Sequence, residues 1–185
     1  MRLIAFFLAA IPVLAQAPPG VTPAWELKKQ LDGLVAQVRR LDPLLQQVKV
    51  QDWGAEGYRE QHKGAKDQLE YLARSATALA GDPEKMTLAL DAFLRLETLE
   101  RMLDSLSEGV RRYQNPALAD LIQSALSENS AHRSRLQHYL VELVAAKQDE
   151  LGAANEEAQN CRSAAMTSSG GPRRAPPTNS SSKKP

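Results

Sequence analysis

The stretch AFLRLETLERMLDSLSEGVRRY, residues 92–113, decides the fold because its apolar side chains return at alternating spacings of three and four. This rhythm gathers them on one face of an α-helix, and over three heptads it is typical of helices that pack lengthwise. Three further stretches repeat the rhythm, whereas no segment alternates with the period of two that indicates a strand. The sequence therefore predicts an all-α fold, a bundle of about four long helices. The four stripes, in chain order, are Leu31, Leu34, Val38, Leu41, Leu45 and Val48; Tyr58, His62, Ala65, Leu69, Leu72, Ala76 and Leu79; Ala92, Leu96, Leu99, Leu103, Leu106, Val110 and Tyr113; and Leu118, Ile122, Ala125, Asn129, His132, Leu136, Tyr139 and Leu143.

Capping residues that are followed directly by proline mark the predicted helix starts. Thr, Asp or Asn accepts a hydrogen bond from the free N–H groups of a first turn, and proline fits the first helical position. The connections between the marked segments are short, so sequential helices are expected to run antiparallel, in up-down order. The four marks are Thr22-Pro23, Asp42-Pro43, Asp82-Pro83 and Asn115-Pro116.

Three other positions carry predictions about helix ends. A residue before proline avoids helical ψ, so the first helix either kinks at Pro43 or ends there and is followed by a short helix over 43–50. We expect the kink because the stripe stays in phase across Pro43. Gly81 is predicted to end the second helix in the left-handed conformation. Trp53 is expected to close one end of the bundle, in preference to forming an exposed aromatic patch.

The fourth predicted helix, from Pro116 to about residue 160, is the longest. At 1.5 Å per residue it spans ~65 Å against ~40 Å for the other three, so its C-terminal part is expected to overhang the bundle. Leu151, Ala154, Ala158 and Cys161 share one face of this part. They predict a homodimer contact, which Cys161, the only cysteine of the chain, could lock as a disulfide. The alternative is a helix end that packs on the first helix, with an idle thiol.

Both termini differ in composition from the bundle. Residues 1–17 read as a signal peptide, with Arg2, an apolar run over 3–14 and small residues at Ala15 and Ala17. The run is shorter than the ~20 residues that a membrane span needs. We therefore expect a periplasmic or secreted protein with no span after cleavage, a linker over 18–21 and a bundle domain over 22–161. Residues 162–185 contain five basic side chains and no acidic one, and predict a disordered basic tail. The tail has no aromatic residue for base stacking, and we expect no nucleic-acid partner.

A few polar residues on the apolar stripes are candidates for holding a cofactor. His62 and Asn129 are predicted at similar depth, with Met102 nearby and His132 one turn from Asn129, and haem, a metal ion or a small hydrophobe could be held there between helices. The alternative is a small polar layer that fixes helix register, as a buried Asn does in coiled coils. A histidine at the bundle edge in contact with water is a third interpretation. We expect no bound cofactor.

The sequence contains none of the common catalytic motifs. Gly-x-Ser-x-Gly, the P-loop and His-Glu-x-x-His are all missing, and so are the Glu-x-x-His pairs of a di-iron centre. We therefore expect a non-catalytic protein that acts through protein–protein contact, as a scaffold, an adaptor or a chaperone-like protein. The alternative is a ligand carrier that uses the bundle interior.

Overall fold

The structure, a computed structural model, describes residues 21–54 and 56–169. Within these residues the chain forms four α-helices, one short 3-10 helix and no strand, which confirms the predicted all-α bundle. The predicted signal peptide, most of the linker and residues 170–185 lie outside the described residues. The helices are α1 (Ala24–Gln46), α2 (Glu56–Gly81), α3 (Met86–Tyr113) and α4 (Pro116–Ser169), and the 3-10 helix Val50–Trp53 lies between α1 and α2.

Side-chain contacts show that neighbouring helices run antiparallel. Between α3 and α4, Arg111 pairs with Asp120 beside the turn, and Glu100 pairs with Arg133 farther along. As the residue number falls on one helix it rises on the other. The same order holds between α2 and α3, which meet through Ser75 with Asp91 and Gly64 with Met102, and between α1 and α4, which meet through Gln37 with Glu128 and Thr22 with Glu142.

The predicted stripes form the core. Every Leu, Val, Ile and Ala that they contain is buried, and so are Tyr139 and Asn129. The other polar or aromatic members lie nearer the surface: Tyr58, His62 and His132 are half-buried and Tyr113 is exposed. Because an aliphatic stripe at this spacing can only be buried against neighbouring helices, the periodicity predicted the core almost residue by residue.

Of the four predicted caps, only Asn115 acts as one. Its Oδ1 accepts a hydrogen bond from the Ala117 N–H at 2.9 Å. Thr22 makes no cap. Its backbone N–H and its hydroxyl instead donate to Oε2 of Glu142, at 3.0 and 2.8 Å. The prediction for Asp82-Pro83 is wrong by three residues, because both lie in the turn and α3 begins at Met86.

The predictions for Pro43 and Gly81 have different outcomes. Helix α1 runs without interruption through Pro43 to Gln46, so no separate helix covers 43–50. Pro43 has no N–H to donate to the carbonyl of Arg39, so α1 continues past it without that one backbone hydrogen bond. Gly81 is the last residue of α2, yet it does not adopt positive φ. The left-handed glycine among the described residues is Gly54, with φ of 69°, directly after the 3-10 helix.

Helix α4 has 54 residues, about twice the length of any other helix described here. It extends through residues 162–169, which the sequence assigned to a disordered tail, so that boundary is wrong. Ala164, Ala165 and Met166 favour helix, and the hydroxyl of Thr167 bonds back to the carbonyl of Ser163. The described chain divides into two compact units, the first ending at Ala146 and the second beginning at Lys147. No helix among the described residues combines the length and apolarity required to cross a bilayer.

Candidate functional site

The structure separates the two stripe histidines. Nε2 of His62 lies 2.8 Å from the carbonyl oxygen of Leu45, whereas the ring of His132 lies against Gly33. Leu45 and Gly33 are twelve residues apart on α1, about 18 Å of helix at 1.5 Å per residue. Met102 packs against Gly64 on α2. The two histidines therefore do not converge on one site.

His62 has a structural role in this arrangement. Its hydrogen bond to the Leu45 carbonyl links α2 to the last turn of α1. The carbonyl of Leu45 also accepts from the backbone N–H of Val48, so the imidazole adds a second hydrogen bond at the end of α1. This role occupies one ring nitrogen of His62 and leaves it half-buried at the edge of the bundle.

Asn129 is the most unusual residue of the core. It is fully buried, at 0% exposure, and neither its Nδ2 nor its Oδ1 has a hydrogen-bond partner. A buried polar group without a partner costs about 1–3 kcal/mol of stability. The sequence singled out Asn129 because it interrupts the apolar stripe of α4, but its unsatisfied amide could be seen only once the neighbouring helices were in place.

His132 lies one turn from Asn129, at the interface between α1 and α4. A Cβ built on Gly33 would lie 3.4 Å from Cε1 of His132, at ordinary van der Waals distance, so the ring lies close to α1 at Gly33. Burial, and next the positive charge of Arg135, lower the pKa of His132. The imidazole is therefore held in its neutral form at neutral pH.

Two polar contacts flank this part of the interface. Nε2 of Gln37 on α1 donates to Oε2 of Glu128 on α4, and Nη1 of Arg40 lies 3.9 Å from the same oxygen. On the other side of α4, Nε of Arg133 lies 3.3 Å from Oε2 of Glu100. Burial is the main cause that raises the pKa of Glu100, and Oε1 of Glu100 has no partner.

Among residues 21–54 and 56–169 no three side chains of the His, Cys, Asp or Glu type cluster closely enough to hold a metal ion. The candidate residues His62, Met102, Asn129 and His132 are not brought together as one set, because the two histidines contact points about 18 Å apart along α1. What remains of the predicted site is the pair Asn129 and His132. Asn129 is fully buried, and His132 is half-buried beside Gly33 of α1.

The predicted contact face on the C-terminal part of α4 is exposed. Leu151, Ala154 and Cys161 face solvent, and Ala158 is half-buried. Cys161 has a free thiol. Leu151 is 64% exposed and Met166 is 71% exposed, which is high for large apolar side chains. Within the second unit, this face is available for contact.

Helix α3 carries an apolar surface that was not predicted from the sequence. Met86, Leu90 and Leu94 follow one another at spacings of four, so they lie along the outer side of the helix, and each is between 43% and 48% exposed. Val141 on α4 is 61% exposed. The sequence does contain a second apolar repeat over 86–94, at spacings of four. It was not recognised because residues of the core lie in the same stretch.

The aromatic cluster of Trp53, Tyr58 and Tyr113 has a structural role at one end of the first unit. Trp53 is buried and makes edge contacts with Tyr58, with ring centroids 5.2 Å apart, and tilted contacts with Tyr113 at 5.8 Å. Gly109 on α3 leaves the space for these rings, because a Cβ there would lie 2.8 Å from Cζ3 of Trp53. The prediction that Trp53 closes the end of the bundle is confirmed.

Comparison of the chain with protein-family models, with curated proteins and with solved structures found no match in any of the three. The interpretation of function therefore depends on the side chains described above. Fold alone does not assign it, because helical bundles carry many unrelated activities.

Proposed function

We propose that this protein is an exported, non-catalytic helical bundle that acts through protein–protein contact, as a scaffold, an adaptor or a chaperone-like protein. The observation that carries the proposal is the solvent-facing surface of α4 over 147–167. Most side chains of this segment face solvent, whereas most helical stability in proteins comes from burying an apolar face. A partner that covers Leu151 and its neighbours would supply that burial.

The partner that fits this surface most simply is a second copy of the chain. Leu151, Ala154, Ala158 and Cys161 present small side chains along one face, so two such helices could approach closely. In a parallel pair the two Cys161 thiols would lie opposite each other, and in an oxidising compartment they could form a disulfide. The proposal thus includes a homodimer, with an unidentified second protein as the other possible occupant.

Site-specific crosslinking in the native host tests the contact. A photoreactive group is attached to Cys161, and the matched control carries it at residue 156 in a Cys161→Ser, Glu156→Cys variant. Glu156 lies on the opposite side of the same helix, since it differs from the contact face by about half a turn. We expect capture of a protein, or of a second copy, from position 161 and not from position 156. Equal capture from both positions would contradict the proposal, and so would capture from neither.

A ligand carrier is the second candidate, and the unsatisfied amide of Asn129 favours it. A buried amide without a partner can be satisfied by a polar group of a bound molecule or by an internal water. An absorption spectrum and a metal analysis of the protein purified from its native host distinguish the two candidates. A stoichiometric chromophore or metal that is lost in an Asn129→Leu variant would support the carrier.

A further inference from the structure

We infer that the interface between α1 and α4 is a proton-sensitive joint, which opens locally when His132 becomes charged. This inference concerns the first unit alone and is independent of the contact face proposed on the C-terminal part of α4. It has three structural components, namely the confined position of the imidazole, the unsatisfied amide beside it and the lack of an available counter-ion.

The imidazole of His132 is half-buried between α1 and α4. A Cβ built on Gly33 would lie 3.4 Å from its Cε1, and the small space beside the ring holds no more than one water molecule. Protonation adds a charge and a second N–H donor, both of which need solvent or an acceptor. The residues that line this space are, from α1, Leu27, Gln30, Leu31 and Leu34, and, from α4, Arg135 and Leu136.

No carboxylate faces the ring from this lining. The ionisable neighbour is Arg135, whose charge repels an imidazolium. Glu128 lies one turn away on α4, but its Oε2 accepts from Gln37 and is also approached by Arg40. On the side of α4 that faces α3, Glu100 is already paired with Arg133. A charged His132 therefore has no available counter-ion in the closed interface.

Asn129, one turn from His132 on α4, lowers the cost of moving this part of α4 away from the bundle. Its buried amide has no hydrogen-bond partner while α4 is packed, and it would bond to water once α4 moved away. Opening at this point therefore relieves two unfavourable burials of polar groups. The burial of the Asn129 amide is unfavourable at every pH, and that of the His132 imidazole only when the ring is protonated. Local opening of packed elements without global unfolding is common in proteins, and it begins where burial is least favourable.

The direction of the pH effect follows from the lowered pKa of His132. The closed state binds fewer protons than the open state, so its stability falls as the pH drops below the ordinary histidine pKa of ~6.5. Below the lowered value the loss is complete and the stability levels off. Opening exposes core leucines of α1 and α4, which makes the interface a candidate for acid-regulated contact.

Hydrogen exchange followed by mass spectrometry tests the inference on the full chain at about pH 8 and about pH 5, the range over which histidine titrates. After correction for the intrinsic exchange rate, we expect peptides of α1 and of residues 125–146 to exchange several-fold faster at the lower pH. Each unit of lowered pKa corresponds to a factor of about ten. Peptides of α2 and α3 should change much less.

Two variants sharpen the result. His132→Gln keeps a polar side chain that cannot be protonated, and it should abolish the acid-dependent rise. His138→Gln is the matched control, because His138 lies on the same helix, is exposed and pairs with Glu142. That variant should keep the rise. An undiminished rise in His132→Gln overturns the inference, and so does a uniform rise over all four helices.

A titration keeps the inference testable if His132→Gln does not fold. The ring protons of His132 can be followed by NMR in the unmodified chain and in the same chain unfolded by urea. A lower midpoint in the folded chain supports the proton-sensitive joint. An equal or higher midpoint overturns it.

Discussion

At the residue scale, the bundle combines an almost fully aliphatic core with a single fully buried amide. Asn129 interrupts the stripe of α4 without a partner, and Glu100 keeps one carboxylate oxygen unsatisfied. Two glycines have opposite surroundings. Gly109 lies against aromatic rings, whereas Gly57 has no neighbour within 4 Å of its Cβ direction. These differences lead to two predictions about stability.

Replacement of Asn129 by leucine should stabilise the first unit. The substitution removes a buried polar group that has no hydrogen bond and adds apolar contact, so the free energy of unfolding should rise by about 1 kcal/mol. Urea denaturation followed by circular dichroism measures the change. Asn155→Leu, at an exposed position of α4, is the control and should change the value by less than about 0.5 kcal/mol. A loss of stability in Asn129→Leu would indicate that the amide has a partner in solution.

Replacement of Gly109 by alanine should destabilise the chain, although alanine favours helix. Its Cβ would lie 2.8 Å from Cζ3 of Trp53 and 2.9 Å from Cε1 of Tyr58, and overpacking of this kind costs about 1–3 kcal/mol. The thermal midpoint should fall and the fluorescence of Trp53 should change. Gly57→Ala, in the first turn of α2, should cause no such loss. Equal midpoints for the two variants would refute the close packing.

At the element scale, side-chain contacts attach α4 to the start of α1 and to the turn between α2 and α3. Glu142 accepts from the backbone and the hydroxyl of Thr22, and the hydroxyl of Tyr139 donates to the carbonyl of Pro83. Asp82 and Pro83 therefore lie in a turn that α4 holds in place. The sequence predicted a helix start there because a capping residue precedes proline. In the structure the turn continues past Pro83, and α3 begins at Met86.

The Tyr139 contact predicts alkaline destabilisation. Burial, and next the nearby carboxylates, raise the pKa of Tyr139 to about 12. The stability that this neutral phenol contributes is fully present below the unfolded pKa of ~10 and is lost as the pH rises from there towards 12. Thermal melts between about pH 9 and about pH 11.5 should show a smaller decline for Tyr139→Phe than for the unmodified chain. Tyr71→Phe, at an exposed position, should show the unmodified decline.

At the scale of the whole molecule, the described chain combines a bundle with an aliphatic core and a second helical unit whose apolar side chains face solvent. The first unit needs no partner to bury its core. In the second unit the side chains of Leu151, Cys161 and Met166 are exposed. We therefore place the proposed contact there. The exposed row Met86, Leu90 and Leu94 on α3 is a second surface of the same type.

Export is the whole-molecule property that the sequence predicts outside the described residues. If residues 1–17 are a signal peptide, the protein recovered from outside the cytoplasm should begin after Ala15 or Ala17. Cleavage after Ala15 is expected, because Pro18 would follow the bond cut after Ala17. N-terminal sequencing or intact mass measurement of the native protein decides this. A chain that retains residues 1–17 in the cytoplasm would exclude the proposed export.

The sequence by itself determined the number of helices, their antiparallel order and nearly all of the core, because apolar side chains at helical spacing can be buried only one way. It also identified Asn129 as a polar position of the core and His132 as a polar position at the edge of the core. Only the tertiary structure decided that His62 and His132 lie apart, that the amide of Asn129 is unsatisfied and that Gly109 leaves the space that the ring of Trp53 occupies. Those facts depend on how far each helix is shifted along its neighbour and on which side chains then meet. Periodicity along one helix carries no information about that shift.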